Sequence, residues 1–217
     1  MRSTLGGLGA TAAVCTSLAF LAGAPSARAF TVGISAKNPK AIYLQVGVGA
    51  ITGGNYNSGG TPGNNTTVNI VSVAVPAAQV GRGTPQAMTT NAATGTSYWD
   101  GYLFCNAPAQ LYVGGFYRNS ANTPGAATLT ATAPLNLVNE TGDTIPFTQI
   151  SWTSSGNGDS GAQPFPAGTF VGGTSQTIGS INKNQWAESC HTFSYANSNV
   201  VAAGTFTGRV TYTLSTP

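Results

Sequence analysis

Charge is what this chain has least of. Lysine, arginine, aspartate and glutamate make up 6% of its 217 residues, against about 25% in an ordinary soluble domain. The few cations, Lys37, Lys40, Arg82, Arg118, Lys183 and Arg209 after the first thirty residues, are scattered. Phosphate binding needs grouped cations, so nucleic acid is not an expected partner. Histidine occurs once, as His191, and the three cysteines form no C-x-x-C pair. That is too little for a zinc site, and no metal or other cofactor is expected.

Helical periodicity is missing too. Residues 77–88 have the composition for a turn or two, but Gly81, Gly83 and Pro85 interrupt them. Beyond the first thirty residues no run is long and apolar enough to span a bilayer. A surface this poor in charge must be covered by Thr, Ser, Asn, Gln and Gly, which suits close packing among copies or life outside a cell.

The N-terminus does carry a strong pattern. Met1 and Arg2 precede an uncharged run rich in Ala, Leu and Gly, which Pro25 ends; Ala27-Arg28-Ala29 follows. This is the three-part layout of a secretory signal peptide. Residues 1–29 are therefore expected to be a leader cut after Ala29. Cys15 goes with it. Loss of Arg2 and Arg28 brings the basic count of eight down to six, against five acidic. The remaining residues, 30–217, suffice for one core and one domain. Cys105 and Cys190 remain, and an even pair in an exported chain reads as a disulfide. It closes a loop of about 85 residues and stabilises by up to roughly 4 kcal/mol in the chain-entropy model.

Apolar and polar residues alternate at a period of two, the strand signature. Ile42, Leu44, Val46 and Val48 alternate with Tyr43, Gln45 and Gly47. Residues 67–75 are β-branched, with a change of phase between Ile70 and Val71 that predicts a bulge. Residues 102–105 and 111–117 form an aromatic centre around the turn Asn106-Ala107-Pro108. Further strands are expected over 128–138, with a break or edge at Pro134, over 148–153 with Trp152, over 177–181, 191–195 and 205–214. About eight or nine short strands with turn-rich connections predict an all-β fold, a single antiparallel β-sandwich.

Chemistry is sparse. Gly158-Asp159-Ser160-Gly161 invites comparison with the serine loop of trypsin-like proteases, but the histidine base should precede the serine and His191 follows it. Ala162 and Gln163 replace the usual glycine and proline. His191 reads as a strand histidine beside the disulfide. Asp100, Glu140, Asp143, Asp159 and Glu188 show no spacing that recommends an acid–base pair. No catalytic residue is assigned and no enzyme is expected. Trp99, Trp152 and Trp186 could line a sugar-binding face; exposure in a row distinguishes that role from core packing. Asn64 and Asn139 open glycosylation sequons.

The C-terminal run Ala203-Gly204-Thr205-Phe206-Thr207-Gly208-Arg209-Val210-Thr211-Tyr212-Thr213-Leu214 resembles the last strand of bacterial fimbrial subunits. It is closest to archaic chaperone–usher pilins with a spore-coat-U-like domain, whose chains tend to end in Gly-Thr-Tyr-x-x-x-Val-x-Val-Thr. Phe206 stands where Tyr is usual, and Thr216 where a penultimate Tyr is common. The resemblance covers about a dozen residues and implies an immunoglobulin-like, pilin-like sandwich that lacks one strand. It also implies a partner's N-terminal segment filling the groove by strand addition. The expected partners are then copies of the chain or related subunits, a periplasmic chaperone and an outer-membrane usher, and the destination is the cell surface. Gly204, Phe206, Val210, Tyr212 and Leu214 would form the C-terminal strand. The candidate donor lies within residues 30–48: Phe30, Val32 and Ile34, then Ile42, Leu44, Val46 and Val48. The second set reads equally as the first strand of the chain's own sandwich. The rival function is a secreted carbohydrate- or surface-binding module without catalysis.

Overall fold

A computed structural model describes residues 30–122, 124–157 and 161–217. The expected leader, 1–29, lies outside the described residues, as do Gly158, Asp159 and Ser160 of the protease-like match.

Eight principal strands carry the period-two pattern: β1 (Thr31–Gly33), β2 (Ala41–Val46), β3 (Leu111–Arg118), β4 (Ala126–Thr132), β5 (Ile150–Ser155), β6 (Ser175–Asn182), β7 (Gln185–Tyr195) and β8 (Thr211–Ser215). The chain is all-β, and the ladders between these strands are antiparallel. Among the described residues the helical content is two 3-10 turns, Ala77–Gln79 and Phe147–Gln149.

The larger sheet runs Gly168–Thr169, β5, β7, β3, β2, and the smaller runs β6, β4, β8. Their facing sides share one apolar cluster. Val113 and Tyr117 of β3, Trp152 of β5 and Phe193 of β7 meet Leu129 of β4, Ile181 of β6 and Leu214 of β8. Alternation explains the division. On β7, Ala187 and Phe193 enter this cluster, while Trp186 and Cys190 point the other way.

That other face of the large sheet is also covered, which the alternation alone does not announce. Tyr43, Phe116 and Trp186 pack there against Ile51, Tyr56, Tyr98 and Trp99 from the loops. The first seven residues of β3 are consequently buried whichever way they point. Backbone approach is close where the loop layer folds on itself. Phe104 and Cys105 both donate their N–H to the Gly95 carbonyl, at 3.0 and 2.8 Å. A Cβ on Gly95 would lie 1.8 Å from the Cys105 carbonyl oxygen, so only glycine fits.

Two strand expectations are corrected. Of residues 67–75, only Val71–Ser72 pair, with Thr89–Thr90. Val68 and Ile70 are exposed while Val71, Val73 and Val75 pack on the core, so the change of phase is there without a continuous strand. Residues 128–138 divide at Pro134, as that proline predicts, into β4 and the short strand Asn136–Val138, which pairs with Thr144–Pro146. The C-terminal strand starts at Thr211 rather than Thr205. Before it, Thr207 makes a single two-bond bridge to Val138, at 3.0 and 2.9 Å. Gly208 lies so close to Phe147 and Leu137 that a Cβ would meet them at 2.6 and 2.8 Å. The run 203–210 therefore hugs the 136–146 hairpin before it can join β4.

Candidate functional site

Cys105 and Cys190 form the expected disulfide, with Cα atoms 5.5 Å apart and both side chains buried. Its position gives it a job. It ties the loop layer to the outer face of β7, beside Phe104, Tyr112 and Phe30.

Ile42, Leu44 and Val46 lie in β2, which pairs with β3 of the same chain from Ala41↔Arg118 to Val46↔Val113. Of the two readings of this segment, the chain's own strand is the one seen, and Val48 falls beyond its end. The alternative donor segment is also engaged. β1 pairs with β7, Thr31 opposite Ala187 and Gly33 opposite Gln185, and the Ile34 N–H donates to the Asn184 carbonyl at 2.9 Å. β5 occupies the same edge of β7 from Tyr195 to Cys190. β1 thus sits end-on beyond β5, with Phe30 edge-on to Phe104 at 5.7 Å.

Among the described residues each sheet has two terminal strands, Gly168–Thr169 and β2 in the larger and β6 and β8 in the smaller, and two of these edges lie near each other. They are β2 and β8. No ladder joins them, but Lys40 Nζ donates to Thr216 Oγ1 at 2.9 Å. Gly47 donates its N–H to Tyr112 on β3, so by alternation the backbone groups of Leu44 and Val46 face outward. The Asn69 side chain takes one of them, donating to the Val46 carbonyl at 2.7 Å. The inward side chains here, Leu44 and Val46 on one edge and Val210 and Tyr212 on the other, touch the core but are only partly buried. Of the C-terminal set, Leu214 is buried, Phe206 is half-buried against the core, and Gly204 adjoins Asn139.

The tryptophans do not form an exposed row. Trp186 and Trp152 are buried, and the Trp152 indole donates to the Pro166 carbonyl at 2.9 Å. Trp99 is half-buried, 5.9 Å from the Tyr56 ring and 5.8 Å from Trp186. Trp99 and Tyr56 line a cleft of about 530 Å³ together with Lys37 and Arg118.

Two buried polar groups were not singled out for chemistry by sequence reasoning, or were read only as strand residues. Glu188 is fully buried on the outer face of β7. Its Oε2 accepts from Ser97 Oγ at 2.7 Å, from Trp186 Nε1 at 3.1 Å and from the Tyr112 hydroxyl. Its Oε1 has no partner. Burial pushes the carboxyl up from its ordinary range, against the pull of those donors. The Tyr112 hydroxyl is driven far up by burial and by the Glu188 charge, so it stays a donor. On the inner face His191 stacks on Trp152 at 5.8 Å, and its Nε2 lies 3.1 Å from the Phe165 carbonyl. Burial pushes it down to about 4. His191 and Glu188 belong to opposite faces of one strand, so they do not form an acid–base pair. Among the described residues no cluster of His, Cys, Asp or Glu could hold a metal, and no helix is long and apolar enough to cross a membrane.

Comparison of the chain with protein-family models, with curated proteins and with solved structures found no match.

Proposed function

We propose that the chain is a structural or adhesive subunit of a bacterial surface fibre, exported behind a cleaved leader and assembled by strand addition between copies. The observation that carries this reading is the pair of neighbouring edges. β2 and β8 lie side by side without pairing, and their inward apolar side chains are half-covered. A strand added between them would hydrogen-bond to both edges and cover Leu44, Val46, Val210 and Tyr212. The two sheets would then become one continuous pilin-like sandwich.

Because β2 is engaged within its own chain, the donor is assigned to the residues before it. Phe30, Val32 and Ile34 alternate, and three residue pairs hold β1 to β7. Exchange of so short a strand for a longer one on a neighbour gives a net gain of pairing. The C-terminal likeness to archaic chaperone–usher pilins points the same way. A periplasmic chaperone that covers the open edges, and an outer-membrane usher, are the partners such a subunit needs.

The test is unboiled SDS gel electrophoresis of material sheared from the cell surface and probed for this chain. Strand-exchanged polymers unfold slowly and should run as a ladder that collapses on boiling. Val46→Asp, which puts a charge on the open edge, should abolish the ladder. A single monomer band from the parent chain overturns the proposal and favours the binding-module reading.

A further inference from the structure

The cleft beside Trp99 brings aromatic rings and cations together. Trp99 and Tyr56 both line it, with their ring centroids 5.9 Å apart. Two cations, Arg118 and Lys37, line it without a carboxylate among the lining residues. In a chain with 6% charged residues, two unbalanced positive charges in one cleft are a concentration of field.

Arg118 is held for the purpose. Its Nη1 donates to the Tyr56 hydroxyl at 2.8 Å, and its guanidinium carbon lies 5.9 Å from the Tyr56 ring and 5.5 Å from the Phe116 ring. These contacts fix the plane of the fork, and its Nε is buried without a partner. The loop is fixed as well. Tyr56 and Asn57 donate their N–H groups to the Tyr98 and Trp99 carbonyls, both at 2.8 Å. A flat aromatic wall suits the CH face of a sugar ring, and a preset guanidinium suits a carboxylate.

We infer that this cleft binds a carboxylate-bearing saccharide, with the ring against Trp99 and Tyr56 and the acid group at Arg118 and Lys37. Lys37 belongs to the N-terminal segment that rests on β7. The complete cleft therefore exists only while that segment is in place, and the form that binds is the closed monomer. The inference stands apart from fibre assembly, because it concerns a monomer with β1 docked; either reading can fail without the other.

The experiment titrates the full chain, purified as a monomer, with a galacturonate trisaccharide, a neutral galactose trisaccharide and sodium acetate. Tryptophan fluorescence and calorimetry follow binding. The acidic trisaccharide should bind, weaken with salt, and be at least about tenfold tighter than the neutral one, as befits a charge-assisted fork. Lys37→Gln, at an exposed position, should weaken it by about threefold, and Arg118→Gln by about tenfold or more. Circular dichroism checks that both variants fold; if Arg118→Gln does not, Lys37→Gln decides. No binding, equal binding of the neutral sugar, equal response to acetate, or an unchanged affinity in Lys37→Gln would each overturn the inference.

Discussion

Replacing Cys105 and Cys190 together by alanine tests what the disulfide does for the loop layer. The bridge spans 85 residues. In the chain-entropy model, opening such a loop releases the unfolded chain by about 4.5 kcal/mol at room temperature. A domain of this size has roughly 5–15 kcal/mol of stability, so the variant should lose between about a third and nearly all of it. The folded side contributes as well. Both sulfurs are buried among Phe104, Tyr112 and Phe30, and alanine leaves a void there. Urea unfolding followed by tryptophan fluorescence measures the loss, and the uncrosslinked unfolded chain should also show a steeper denaturant dependence. A loss under about 1 kcal/mol with an unchanged slope would refute the argument. It would mean that the loop layer holds to β7 equally well by packing alone.

Three further outcomes are expected. His191 is neutral in the fold at about 4, below its ordinary 6.5, so its contribution is present above the unfolded value and is lost as pH falls through the folded one. That loss is up to about 3 kcal/mol, and urea midpoints measured across the interval should flatten in His191→Phe. Glu188 has the opposite sign, since burial raises it above its ordinary 4.5. Its stabilisation holds below that value and is lost as pH rises through the folded one, so Glu188→Gln should gain on the parent as pH increases, by at most about 1.4 kcal/mol per pH unit, in melting experiments. Gly95→Ala should cost about 1–3 kcal/mol in the urea midpoint by forcing the Cys105 segment off its carbonyl contact.

How much of this was legible in the sequence depended on whether the cause was local. Alternation in residues 42–48 and 205–214 is local, and strands are there over 41–46 and 211–215, while the short candidate at 177–181 lies within the strand 175–182. Pro134 forecast the break between β4 and the 136–138 strand for a local reason, its missing N–H. The oxidising logic of an even cysteine pair forecast the Cys105–Cys190 bridge. The third layer was not legible, because nothing in residues 47–62 or 92–106 marks them as a cover for Tyr43, Phe116 and Trp186. The Glu188 site was equally hidden. Its partners Ser97 and Tyr112 lie 91 and 76 residues away, and only folding brings them together. Lys37 and Arg118 read as two scattered cations until the N-terminal segment lands on β7.

The end-on seat of β1 has a consequence in time. Thr31 is among the first described residues, but its partner Ala187 is made about 150 residues later. At a synthesis rate of roughly 5–20 residues per second, the segment waits on the order of 8–30 s with no ladder to join. Phe30, Val32 and Ile34 lack their β7 partner for that interval, so whatever meets them once they leave the ribosome competes with the chain's own β7 before β7 exists.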